Sequence, residues 1–382
     1  PFAGRIDELA QLRHAWQAVI RDERPRLVVV EGAAGAGKTR LVDEFVHREL
    51  VGVPAARMLW GRDRETTHRE YGAIAEAVGR LHDEEPELFA GPPTLTDLVR
   101  LVAPGAGDGT PDESIGVDAH SRSRLGRDLA RFVRRLSDRP TIWLLDDAHW
   151  ATADSVTLLD EAFDGATGAI LLVATARPRP VGALTLVGAM SRTLPVSTVT
   201  LGPLADADVE RLVTSLDVSV SPRDVHLLRR RTGGLALYAS EIARVVRSTG
   251  HLDVATIPPV IRDWVRHRID SLDPELVDTL RHAAVIGHDV EPSMLERVTG
   301  RPAAEIARHC DELIAIGTLS FEPGSGRLSF AHELTLDIVR ESIGPVLGAE
   351  LDRRVAASLQ LVSPQAHGLI AQPNSAAARS CC

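Results

Sequence analysis

Lysine is all but missing from this chain of 382 residues: Lys38 is its only one, although lysine and arginine together number 43. A lone compact ammonium among so many planar guanidinium groups marks a position where a point charge is wanted. Cysteine is nearly as scarce. The three present, Cys310, Cys381 and Cys382, offer neither a disulfide framework nor metal-ligand spacing, and Cys310 falls at an apolar helical position that reads as core. Aromatic residues make up only 4%. Excess positive charge is absent as well. The net charge of −10 excludes nucleic-acid binding by bulk electrostatics. Long apolar runs are lacking. The run Ala169 to Ala174 is far below the roughly 20 residues a membrane-spanning helix needs, so no membrane partner is expected. No signal peptide is visible, which makes the cytoplasm the expected compartment.

What is present is concentrated in Arg26 to Val42. A buried-type strand, Leu27 to Val30, runs into glycines at 32, 35 and 37, then Lys38, Thr39 and a helical pattern. Gly32 to Thr39 fits G-x-x-x-x-G-K-[ST], the P-loop, in its strand–loop–helix setting. Glycines let successive backbone N–H groups curl round phosphate oxygens, and the helix that follows directs its positive end at them. Gly32, Ala33, Gly35, Ala36, Gly37, Lys38, Thr39 and Arg40 are thus candidate phosphate-cradle residues. Lys38 is expected on the β/γ-phosphates and Thr39 on Mg²⁺.

A second signal lies about a hundred residues on. The apolar run Thr141 to Leu145 ends in Asp146-Asp147, a Walker B pattern at the carboxyl end of a strand, where ligands of open parallel sheets bind. Asp146 is a candidate Mg²⁺ ligand, and Asp147 a candidate for orienting or deprotonating the attacking water. The plainer reading is an acidic turn. Arg177, just past the strand Ala169 to Ala174, reads either as a γ-phosphate contact or as a solvated loop arginine.

Strand and helix alternate from residue 26 to 202, with further strands expected at Ala56 to Trp60 and Ser197 to Leu201. That argues for an α/β fold, a P-loop NTPase parallel sheet with helices on both faces. The stretch 83–120 reads as an irregular insertion with a short helix near Leu95 to Val102. Residues 204–256 read as a small helical domain. Residues 257–345 contain three helices and a hairpin, which is winged-helix topology, and 346–382 a terminal helix or tail that loses periodicity after Ser363. The chain starts at Pro1 with a motif at once, so it is expected to be cut from something longer.

These residues resemble a known family. Phe2-Ala3-Gly4-Arg5, the P-loop, LLDDAHWATADSVTLLDE, TARP, LGPL, TGG with ALYASEI, and Phe330-Ala331-His332-Glu333-Leu334 occur in that order over residues 2–345. The set is similar to the nucleotide-binding core of STAND-class AAA-like ATPases, above all the large ATP-binding LuxR-type and SARP-type transcriptional regulators of actinobacteria. The resemblance implies that Phe2 to Arg5, including Gly4 and Arg5, lie near the adenine. It implies that the strand ending at Thr175 inserts between the P-loop and Walker B strands, bringing Arg177 to the γ-phosphate as a sensor. It implies that His332 touches the β-phosphate of ADP and holds a closed state, against the alternative of a histidine packed in its own domain. His149 and Trp150 belong to the motif without an assigned role. One departure stands out: the family proline after Gly-Gly-x is Ala236 here, which implies looser packing on the base.

The function so implied is an ATP/ADP switch with slow, Mg²⁺-dependent hydrolysis and nucleotide-dependent self-association. DNA would be bound through domains outside this fragment. The alternatives are an ATPase acting directly on DNA, like origin-recognition proteins, or the scaffold module of a nucleotide cyclase or kinase. The former needs a basic winged-helix face. Its candidates Arg297, Arg301 and Arg308 are offset by Glu296, Glu305, Asp311 and Glu312.

Overall fold

The computed structural model describes residues 2–53, 56–63, 70–102, 119–177, 182–249, 257–287, 289–322 and 325–362. Two compact units divide between Pro258 and Pro259. The tail expected after Ser363 lies outside the described residues, as does most of the insertion beyond Val102.

The first unit opens with α1 (Ile6–Asp22), β1 (Arg26–Gly32), α2 (Lys38–Gly52), β2 (Arg57–Arg62) and α3 (Gly72–Glu84). It continues through α4 (Thr96–Val102), α5 (Ala119–Leu136), β3 (Thr141–Asp146), α6 (Ala153–Phe163), β4 (Ile170–Ala176), α7 (Gly182–Met190) and β5 (Val196–Leu201). It closes with α8 (Asp206–Thr214), α9 (Pro222–Thr232) and α10 (Ala236–Thr249). The five strands form one sheet in the order β2-β3-β4-β1-β5, and each neighbouring pair is parallel. β4 therefore lies between β1 and β3, as the resemblance implied. The expected α/β class with helices around a parallel sheet is the observed one.

Burial explains the strand composition. β3 and β4 are buried at every position, and such strands read as continuous apolar runs rather than alternation. Leu27 to Val30 are likewise withdrawn from solvent, each side chain contributing about 1.5–3 kcal/mol. The few aromatic residues cluster where they count: Trp143 meets Phe132 edge-on and Phe163 at a tilt, with ring centroids 6.2 and 6.1 Å apart.

Among the strand ends that differ from expectation, two bear on the site. β2 runs to Arg62 rather than stopping at Trp60, because Gly61 permits a contact no other residue could make. A Cβ there would lie 1.7 Å from the carbonyl oxygen of Ala73, so glycine lets β2 continue beneath the start of α3. β4 runs to Ala176, carrying Thr175 into the sheet. Helix α7 is a further element that the residue pattern did not indicate.

The second unit contains α11 (Pro259–Asp270), α12 (Pro274–Ile286), α13 (Pro292–Thr299), α14 (Ala303–Ala315), the antiparallel pair β6 (Leu319–Glu322) and β7 (Arg327–Phe330), α15 (Glu333–Glu341) and α16 (Pro345–Val362). Four helices, not three, precede the hairpin. Asp273 caps α12 through Glu275 N at 2.9 Å, with Pro274 in the first turn, the pairing expected of that dipeptide. Two of the three candidate arginines of this unit are engaged by acids: Arg301 pairs with Glu305 at 2.6 Å and Asp278 at 3.3 Å, and Arg308 with Glu312 at 3.9 Å, while Arg297 Nη2 lies 3.5 Å from Met294 Sδ.

Candidate nucleotide site

The sheet register gathers the chemistry at one edge. Val30 of β1 pairs with Thr175 of β4, and Asp146 of β3 pairs with Arg62 of β2. All four lie at the carboxyl ends of parallel strands, where side chains and loops converge. The P-loop follows β1 directly. Gly35 and Gly37 take φ of +79° and +94°, a region that a side chain disfavours. α2 then starts at Lys38.

Lys38 is buried, and its Nζ donates to the carbonyl oxygens of Gly32 at 2.8 Å and Ala33 at 3.1 Å. Burial pulls its pKa down to about 8. Arg177 adds to the fall, while Asp147 and Asp146 oppose it. Thr39 Oγ1 donates to Asp146 Oδ1 at 3.0 Å. Asp146 is wholly buried, and a second donor, Thr175 Oγ1, reaches the same oxygen at 2.6 Å. The other oxygen, Oδ2, accepts no hydrogen bond among the described residues; Arg62 Nε stands 3.5 Å from it. A buried carboxylate oxygen without a hydrogen bond among the described residues, beside a threonine hydroxyl, is a hard-oxygen donor set that suits Mg²⁺, so the residues present fit that ion.

Asp147 takes a left-handed conformation, φ 55°. Its N–H donates to Thr175 Oγ1 at 2.9 Å, and its Oδ2 accepts from Arg62 Nη2 at 2.7 Å and Nε at 3.0 Å. One threonine thus joins both carboxylate residues. Arg177 places its guanidinium carbon 5.9 Å from the Trp150 ring centre, an aromatic–cation contact.

The remaining expected residues lie as follows. Arg5 pairs with Glu8 at 2.9 Å and donates to the Gly202 carbonyl at 2.6 Å, which ties the N-terminal stretch to the loop after β5. A Cβ on Gly4 would fall 2.7 Å from Asp208, so that stretch also runs close against α8. The Arg40 guanidinium stands 3.7 Å from Glu44 on the surface of α2. Gly32, Ala33 and Ala36 belong to the loop itself, and Ala36 N donates to Ala33 O at 3.1 Å. His332 belongs to the second unit, immediately before α15; burial, helped by Arg268, pushes its pKa down to about 4.

Three features were not read from the residue pattern. Arg62 and Asp63 follow a strand that reads as ending at Trp60. Asp63 is buried and accepts from Ala73 N at 3.1 Å; burial drives its carboxyl up to about 6. Thr175 was a motif letter whose hydroxyl role depends on register. Finally, the start of α10 touches the P-loop: Leu237 N donates to Gly35 O at 3.1 Å. A Cβ on Gly37 would lie 3.8 Å from that of Ala236.

Residues 1–173 match the family model of the AAA ATPase domain. The core is a P-loop ATPase domain. The fold is also similar to that of a Walker-type ATPase of Pyrococcus abyssi, at TM-score 0.60 and 15% identity over 89% of this chain and 96% of that one. Looser overlaps include a STAND protein with a tetratricopeptide repeat sensor from Pyrococcus horikoshii. Its TM-score is 0.37 and its identity 17%, with 94% of this chain covered. The chain spans 45% of that protein's length. The Orc1 protein of Aeropyrum pernix, in complex with DNA, overlaps at TM-score 0.45 and 14% identity over 92% and 95% of the two chains. No curated protein matches the chain significantly. Among the described residues, no helix is long and apolar enough to cross a membrane.

Proposed function

We propose that this ATPase core is a nucleotide-dependent regulatory switch: slow hydrolysis of Mg²⁺·ATP to ADP changes how the helical segment α8–α10 lies on the P-loop, and through it self-association. The observation that carries this reading is the hydrogen bond from Leu237 N to Gly35 O. It links the first turn of α10 to the loop meant to hold phosphate, so a nucleotide in the loop would be felt by that helix. A nucleotide shifts such an equilibrium only by the difference in its affinity for the two arrangements.

The geometry supports the following division of roles. Backbone amides of Gly35 to Thr39 would hold the phosphates and Lys38 would neutralise them. Thr39 and Asp146 would hold Mg²⁺, which would polarise the phosphoryl group when bound. Asp147 would orient and deprotonate the attacking water, and Arg177 would meet charge on the γ-phosphate. His332 is proposed to contact ADP in a closed state, and the second unit to be a winged helix. The transcriptional output, with DNA bound outside this fragment, rests on the motif order alone. Direct action on DNA is less well supported, because Arg301 and Arg308 are engaged by carboxylates.

The test is nucleotide binding and mass in solution with ATP or ADP, in the parent chain and in two variants. Lys38→Ala is expected to lose nucleotide binding. Asp147→Asn is expected to keep binding, lose hydrolysis and remain in the ATP-state assembly. Unchanged ATP affinity in the Lys38 variant would overturn the site, and identical masses with both nucleotides would overturn the switch.

A further inference from the structure

His149 lies two residues beyond Asp147, on a single 3-10 turn, Ala148–Trp150. The residue is 8% exposed, and neither ring nitrogen has a hydrogen-bond partner among the described residues. A neutral imidazole carries one N–H donor and one lone-pair acceptor. Buried polar groups are nearly always paired, so one that is not asks for an explanation, and a bound ion is one. The ring is held in place on one side by Trp150, with ring centroids 4.9 Å apart.

The charges around this ring favour an anionic ligand. Burial holds His149 neutral, with its pKa down to about 4. Arg177 and Lys38 push in the same direction, and Asp147 opposes them. Those three groups come from the end of β4, the start of α2 and the end of β3. Helix α7, which also packs on the turn, carries no titratable residue between Gly182 and Met190. A neutral donor set beside two cations suits an anion, and it lies with Asp147 and Arg177 at the end of the site assigned to the bond that breaks.

We propose that His149 is a residue that distinguishes ATP from ADP beside Arg177, its ring N–H donating to an oxygen of the terminal phosphate. This rests on the nucleotide site described above. It makes His149 a specificity-determining ligand rather than a base, since proton abstraction is assigned to Asp147. The ring enters the site uncharged. A phosphate beside it raises its basicity, so the bond strengthens as the anion arrives.

Two measurements test this. Binding of ADP and of the non-hydrolysable β,γ-imido analogue of ATP is compared in the parent chain, His149→Phe and His149→Gln. A lost charge-assisted hydrogen bond predicts that His149→Phe weakens the imido analogue roughly ten- to hundredfold, with ADP within about twofold and partial recovery in His149→Gln. Equal losses for both ligands would make His149 a mere support of the turn and overturn the proposal, as would no loss for either. The second measurement needs no variant: ¹⁵N-histidine NMR of the parent chain should show one ring moving on addition of the imido analogue and not of ADP. No such difference overturns the proposal even if the variants fail to fold. Failure of ADP to bind the parent chain at all would instead overturn the nucleotide site itself.

Discussion

Arg62, the last residue of β2, holds the carboxylate of Asp147, the residue after β3, through two contacts of 2.7 and 3.0 Å to one oxygen. The pairing exists because β2 and β3 run side by side in register, with Arg62 opposite Asp146. The guanidinium is itself held charged, mainly by its hydrogen bond to Asp147, its pKa raised above the ordinary arginine value. An oxygen engaged in this way is not free to accept a hydrogen bond from the attacking water.

Arg62→Ala is therefore expected to raise basal hydrolysis. The arginine is about half exposed, so the pair is worth at most about 1 kcal/mol, which corresponds to a rise of up to roughly fivefold. Steady-state phosphate release at saturating ATP, against unchanged nucleotide affinity, checks this. A fall in rate would instead show that Arg62 acts in the transition state.

Thr175→Val removes a hydroxyl while preserving shape. It strips one of two donors from the buried Asp146 Oδ1 and leaves the Asp147 N–H without its acceptor. Stability is expected to drop by about 1–3 kcal/mol, read by urea unfolding without nucleotide. The Mg²⁺ concentration needed for half-maximal hydrolysis is expected to rise, because Asp146 is no longer held from the β4 side. A change in stability with no change in Mg²⁺ dependence would confine Thr175 to a structural role.

The depressed pKa of Lys38, about 8 against an ordinary 10.5, gives a pH dependence with a definite sign. Between those values the unfolded chain binds more protons than the native one at this position. This residue's contribution to native stability without nucleotide therefore rises with pH across that window. Nucleotide binding runs the other way. Phosphate favours the charged lysine, so above pH 8 binding takes up a proton, and affinity falls by up to about tenfold per pH unit. Calorimetry of ADP binding at pH 7 and pH 9, in buffers of different ionisation enthalpy, reads both effects. Pure proton release at pH 9 would refute the assignment.

Much of the site was legible because local physics dictates it. A phosphate cradle needs glycines where φ is positive, a lysine and a hydroxyl at fixed offsets, and a strand before and a helix after; Gly35, Gly37, Lys38 and Thr39 satisfy this without reference to the rest of the chain. The strand TIWLL followed by two aspartates was equally plain, because a fully buried parallel strand reads as an unbroken apolar run. Arg62 and Thr175 were hidden because their roles come from pairing between strands far apart in sequence. Nothing in GRD or TARP states which neighbour each will face. The contact of Leu237 with Gly35 depends on how a helix two hundred residues away returns to the loop.

The sequence by itself determined that this chain carries a P-loop pattern and a buried strand ending in two aspartates on an α/β sheet, because those depend on residue types at short, fixed separations. Only the tertiary structure decided that Thr175 joins Asp146 to Asp147, that Arg62 restrains Asp147, and that His149 is buried with neither ring nitrogen hydrogen-bonded among the described residues. Those relationships are set by strand order and register, and by what packing leaves unsatisfied, which no local pattern encodes.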